Sequence, residues 1–143
     1  MIDGCKFCAL SASPEALIVG SVYVLPDAYP VTPHHVLVIP LRHCSDYFEM
    51  TQVELTDTHR ALQRLRACLV RDGVEGFNVG WNCGDAAGQT VCHAHCHLIP
   101  RRLGDMVDPT GGVRGVIPWR QKYAAMESAP SHSSSVTGSA VGL

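Results

Sequence analysis

The sequence predicts an α+β domain: a mainly antiparallel sheet of about five strands with one long helix. Two observations predict it. Apolar residues recur at helical spacing over a single long stretch, 52–71. Short β-branched or apolar runs next to Pro or Gly flank that stretch on both sides.

The elements follow in chain order. Leu17–Gly20 and Ser21–Pro26 read as two strands joined at Gly20-Ser21, and His35–Pro40 as a third. The helix comes next, at Gln52–Arg71. Thr51 and Glu54 have the spacing of a capping box, in which each side chain bonds the other's backbone N–H. Leu55, Leu62, Leu65 and Leu69 fall on one helical face with Ala61 and Cys68 beside them, and Gly73 ends the helix. Gly76–Cys83 and Val91–Pro100 complete the strands. Residues 124–143 are rich in Ser, Ala and Gly with one charged residue, Glu127. Such a segment buries too little apolar surface to offset its ordering entropy, so it reads as a disordered tail behind a domain of residues 1–123.

Composition narrows the function classes. Apolar residues make up 46% and charged residues 17% of the 143, an ordinary balance for one packed core. The formal net charge of -2 gives no global pull toward nucleic acid or an acidic membrane. No basic region leads into an apolar run at the start, and no stretch reaches the ~18 apolar residues of a membrane helix. The expected location is the cytoplasm. The seven cysteines form an odd set, unlike a secreted disulfide scaffold. In a reducing compartment Cys5 and Cys8, a C-x-x-C pair, read as metal ligands and the other five as small core residues or surface thiols.

The run Cys92-His93-Ala94-His95-Cys96-His97-Leu98 carries the chemistry. On a strand, alternate side chains share a face, which would set His93, His95 and His97 in a row at about 6.6 Å intervals. Two chemistries suit such a row. Three imidazoles can hold one metal, or an imidazole can act as a nucleophile toward phosphorus near neutral pH, with its neighbours donating to phosphate oxygens. The upstream loop favours phosphate. Gly84 and Gly88 bracket a turn leading into Gln89 and Thr90, which could offer N–H groups, an amide and a hydroxyl to an anion. Residues 93–122 also hold five cationic side chains against two anionic ones, a local excess of +3 (5 − 2).

These residues match the signature of the histidine-triad superfamily, three alternating histidines followed by apolar residues. Gly88-Gln89-Thr90-Val91 resembles the stretch before that triad, and Asp27 through Pro40 is similar to the family's nucleoside-binding strand pair. The resemblance runs from about Cys5 to Tyr123 and is strongest to prokaryotic members ending in a segment like Gly111–Pro118. Two positions depart from it: His34 stands where Gly is common, and Arg42 where Lys is common.

The resemblance implies a sheet of about five antiparallel strands with one long helix, and homodimers sharing a continuous sheet. It implies that His95 attacks the α-phosphorus of a nucleotide, forming a nucleotidyl-histidine that water resolves to a nucleoside monophosphate. Gln89, Thr90 and His97 match phosphate-contacting positions, and Asp27, His35 and Asn82 match the nucleoside and phosphate pocket. Zinc-bearing members add two histidines to the C-x-x-C pair, here His43 and His93. This gives a Cys₂His₂ set with Cys5 and Cys8, structural because all four positions are filled. The expected enzyme therefore cleaves a dinucleoside polyphosphate or a nucleoside phosphoramidate. The alternatives are a nucleotide sensor or partner-binding module with residual turnover, and a triad metal centre.

Overall fold

The computed structural model describes residues 2–123, so the expected tail at 124–143 lies outside the described residues. Its contacts group the chain up to Val107 as one unit and from Asp108 as a second. In the first unit a five-stranded antiparallel sheet is built from β1 (Leu17–Val19), β2 (Val22–Pro26), β3 (Val36–Pro40), β4 (Gly76–Gly80) and β5 (Cys96–Arg101). Its strand order is β1-β2-β3-β5-β4. A short helix α1 (Lys6–Leu10) precedes the sheet, and the long helix α2 (Gln52–Arg71) links β3 to β4.

Alternation along the strands sorts the core into two layers. Val22, Val24, Val38 and Cys96 point to one face and pack with Ala61, Leu62 and Leu65 of α2. Tyr23, Leu25, Leu37 and Ile39 point to the other and pack with Phe7 of α1. His97 pairs with Leu37 across β3 and β5, so it stands on the α1 face.

Helix α2 has the predicted limits and the capping box: Thr51 Oγ1 accepts the Glu54 N–H, and the Glu54 carboxylate accepts the Thr51 N–H. The leucine face packs into the core, with Leu69 buried and Leu55, Leu62 and Leu65 half-buried, and the buried stripe also takes in polar residues. Glu54, Asp57 and Thr58 are buried with Ala61 and Leu69, while Cys68 is exposed. Both carboxylates have partners. The Arg42 guanidinium grips Glu54 through Nε and Nη2 and also donates to the Glu49 carbonyl. A lysine has no such fork, which explains Arg at this departure from the family pattern. Asp57 accepts the Ser21 N–H and hydroxyl, tying the β1–β2 turn to the helix.

Two predicted strands are shorter than expected. The fourth ends at Gly80 instead of Cys83, and the last begins at Cys96 instead of Val91. The reason for the second is local. Pro40 ends β3 and has no N–H to continue the ladder, its carbonyl takes the His93 imidazole, and Ala94 N–H bonds the Cys44 carbonyl instead.

In the second unit, 3₁₀ turns at Gly112–Val116 and Pro118–Arg120 are held by Arg114. Its guanidinium donates to the carbonyls of Arg120 and Gln121 and lies 4.7 Å from the Tyr123 ring centre.

Candidate active site and metal centre

The segment 91–95 lies outside the ladder, so His93 and His95 precede the strand that carries His97. Each imidazole has its own partners, and the His95 and His97 rings lie 5.1 Å apart. His93 is fully buried and its Nε2–H donates to the Pro40 carbonyl at 2.9 Å. The Nδ1 lone pair therefore points the other way, 3.4 Å from Cys5 Sγ and 3.7 Å from Cys8 Sγ. His43 Nδ1 lies 3.5 Å from Cys8 Sγ. The Ala94–Cys44 backbone bond brings the His43 arm beside His93, and α1 supplies the thiols. All four ligand atoms lie within 4.8 Å of one another. A carbonyl fixing the far nitrogen of an imidazole is the usual support of a metal-binding histidine. Burial also lowers the His93 pKa, favouring the neutral ring a metal needs.

His95 is buried and its Nδ1–H donates to the His93 carbonyl at 2.8 Å. That bond selects the tautomer with a free lone pair on Nε2, the state a nucleophile requires. Its ring centre lies 5.0 Å from that of Phe7 and 5.1 Å from that of His97, both edge contacts.

His97 is set through a chain of tautomers. The Val31 backbone N–H donates to His35 Nδ1 at 3.1 Å. A backbone amide can only donate, so His35 carries its proton on Nε2. His35 Nε2 lies 3.0 Å from His97 Nδ1, which must then accept, leaving the His97 proton on Nε2. That N–H is buried with no partner among the described residues. An orphaned buried donor is costly unless a ligand oxygen meets it. Both rings are neutral in this arrangement. Burial, reinforced by neighbouring His95 and His35, holds the His97 pKa down to about 4. Burial also lowers that of His35, opposed by Asp27, whose carboxylate is 3.4 Å away.

The loop before the triad closes on itself. Gly84 and Gly88 both adopt positive φ, and a glycine makes that backbone accessible without strain. The N–H groups of Ala87, Gly88 and Gln89 bond carbonyls inside the turn, so they do not form the expected anion cradle. The Gln89 amide accepts the Gly84 N–H and donates to the carbonyls of Ser45 and Val91. Thr90 is exposed and Asn82 half-buried.

Comparison with known proteins places this geometry. A sequence model of the HIT domain matches residues 18–104. The chain belongs to the HIT family. An uncharacterized HIT-like protein of Methanocaldococcus jannaschii is 33% identical over 105 residues, covering 71% of this chain and 81% of its own. The AP-4-A phosphorylase of Mycobacterium tuberculosis is 34% identical over 96 residues, covering 64% of this chain and 49% of its own. This chain thus spans about half the length of that enzyme. A solved Zn-bound histidine triad family protein from Mycobacterium smegmatis is 33% identical, with a TM-score of 0.64, covering 73% of this chain and 80% of its own. The five-stranded antiparallel sheet with one long helix is the HIT fold. The family includes relatives named for acting on nucleotides, such as that phosphorylase.

On this HIT fold the residues singled out in the sequence separate into groups. Cys5, Cys8, His43 and His93 come together, as do Asp27, His35 and His97, with His95 between the two sets. Gln89 stands apart as the brace of its loop. Sequence reasoning missed Phe7, which reads as an ordinary core aromatic until its ring is seen against His95 and His93. It also missed the Val31 amide, because a backbone N–H leaves no mark in a sequence.

Proposed function

We propose that this HIT-family enzyme acts on the α-phosphate of a nucleoside phosphate derivative, through a nucleotidyl-histidine formed on His95. One observation carries the reading: the His95 lone pair is on Nε2, and the neighbouring His97 offers an unpaired N–H. In the reaction, the Nε2 lone pair forms a bond to the α-phosphorus as the bond to the leaving group breaks. The His97 N–H donates to a phosphate oxygen as charge develops there. Water then cleaves the phosphorus–nitrogen bond and releases a nucleoside monophosphate. Thr90 and Asn82 complete the contacts to phosphate and nucleoside, Asp27 and His35 line the pocket, and Gln89 shapes the loop beside the phosphate. A dinucleoside polyphosphate or a nucleoside phosphoramidate fits this chemistry, and the similarity to the AP-4-A phosphorylase supports the former.

Zinc is the proposed occupant of the Cys₂His₂ cluster. Zinc bond lengths at tetrahedral angles place a nitrogen and a sulfur ligand about 3.5 Å apart. The nitrogen–sulfur separations here are 3.4, 3.5 and 3.7 Å. Cys5, Cys8, His43 and His93 would fill all four positions, making the metal structural. The other buried thiols do not compete: burial pushes Cys44 up to about 11 and Cys96 up to about 12, and both stay protonated. We further propose a homodimer, supported by the outer edge of β4, which has no strand partner among the described residues. The unpaired thiols support a cytoplasmic location. Among the described residues no helix is long and apolar enough to cross a membrane.

The test is to mix the protein with diadenosine tetraphosphate, quench in alkali and weigh it. An adenylyl mass on the peptide containing His95, absent in His95→Asn, is the expected result. Adenosine nucleotide binding without any adduct or turnover would leave the sensor reading in its place.

A further inference from the structure

We infer that Phe7 is a positioning residue for His95, bracing the nucleophile from the metal-binding knuckle. The inference rests on the reading of His95 as nucleophile. The ring of Phe7 projects from the turn between Cys5 and Cys8, so the residue that touches the nucleophile is bonded into the segment carrying both thiols. It meets His95 in a T-shaped contact, 5.0 Å between centres at 67°. It meets His93, the histidine of the thiol cluster, at 6.1 Å and 76°.

Phe7 is itself held firmly. It is 5% exposed and packs against Tyr23, Leu25, Leu37 and Ile39. Its carbonyl accepts the buried Tyr23 hydroxyl at 2.6 Å, a short bond that fixes the backbone from which the ring projects. The grip of Cys5 and Cys8 on the His93 and His43 side chains restrains the same turn from both ends.

Among the described residues the His95 ring has one hydrogen bond, from Nδ1–H to the His93 carbonyl. A single bond of this kind leaves the imidazole free to tilt about it. The walls at Phe7 and His97 remove that freedom and hold Nε2 in one direction. Attack on phosphorus depends on such alignment, and small misplacements of a reacting atom cost large factors in rate. An ordinary core phenylalanine would contribute only apolar burial. This one also transmits the order of the thiol cluster to the nucleophile, two functions the sequence places far apart.

The decisive variant is Phe7→Leu, which keeps an apolar side chain but loses the flat wall. Leu69→Ala, in the core on the α2 face, serves as a control that lowers stability alone. With diadenosine tetraphosphate as substrate, Phe7→Leu should lower kcat about tenfold or more with KM within about twofold, and Leu69→Ala should leave kcat near the original. Tyr23→Phe, which removes only the hydroxyl that fixes the Phe7 carbonyl, should fall between them. An independent readout needs no substrate. The His95 ring protons, shifted by the Phe7 ring current in the NMR spectrum of the intact protein, should move toward ordinary positions in Phe7→Leu. Unmoved His95 resonances would overturn the inference. So would a kcat that falls in proportion to melting temperature across Phe7→Leu and Leu69→Ala alike. Failure of the wild type to form the His95 adduct would instead overturn the reading of the nucleophile, while the NMR shifts still report on the brace.

Discussion

His93 and His97 lie four residues apart on one short segment, and each sits beside a second histidine, yet their hydrogen bonds run in opposite senses. At His93 the Pro40 carbonyl takes the Nε2 proton, so a lone pair faces the thiols of Cys5 and Cys8. At His97 the Val31 amide, acting through His35, sets the lone pair on Nδ1 and leaves the N–H on Nε2, with no partner among the described residues. The first arrangement collects electron pairs and suits a cation. The second presents a donor and suits an anion. In the proposed reading the same side chain serves as metal ligand or phosphate donor according to what bonds its other nitrogen: the Pro40 carbonyl at His93, and at His97 the His35 N–H, itself set by the Val31 amide.

The largest effect that would sharpen this contrast is on the cation side. Replacing Cys5 and Cys8 together by Ser should remove one zinc per chain in metal analysis and lower the melting temperature by about 10 °C or more, because metal binding is folding free energy. His93→Ala should behave in the same way, as a stability mutant. A double variant that keeps both its zinc and its melting temperature would dismantle the cluster.

On the anion side, acid should act through the neutral His97. Its folded pKa is held to about 4 against an ordinary 6.5. Between those values the unfolded chain binds a proton that the folded chain refuses, so stability is present above pH 6.5 and is lost as pH falls toward 4. The loss should be on the order of 2–3 kcal/mol, read from urea unfolding at several pH values in the Cys5→Ser, Cys8→Ser background to exclude metal release. His97→Gln, which has nothing to titrate there, should flatten the slope; an unchanged slope would falsify the neutral pair.

His34 gives a smaller effect. Among the described residues it is the one non-glycine with positive φ, at 67°, in the turn that carries His35 to its amide partner. The left-handed backbone costs an ordinary residue roughly 1–2 kcal/mol, and glycine's extra entropy in the unfolded chain returns about 0.5–1. His34→Gly should therefore raise stability by about 0.5–1 kcal/mol with the His35–His97 pair intact. Any loss of stability would show that the His34 side chain has a partner that the turn geometry does not reveal. The smallest effect is expected from ending the chain after Tyr123, which should leave melting temperature and turnover unchanged.

The fold was legible in large part. The leucine spacing and the Thr51–Glu54 pair gave α2 to the residue, and the Pro- and Gly-bounded runs gave five strands. The misplaced start of β5 has a physical cause: alternation says which face a residue would take if paired, and pairing depends on the neighbour, here a strand that ends at Pro40. The buried carboxylates of α2 were equally invisible, since Glu54 and Asp57 are buried only because Arg42 and Ser21 meet them from other elements.

By itself the sequence determined which chemical groups are present and which local elements carry them, because helical period, turn residues and the C-x-x-C and histidine spacings are short-range properties of the chain. Only the tertiary structure decided which nitrogen of each histidine carries the proton. The protonation of an imidazole is set by whatever bonds its second nitrogen. In this protein those partners are the Pro40 carbonyl, 53 residues from His93, and the Val31 amide, reaching His97 through a contact 62 residues long.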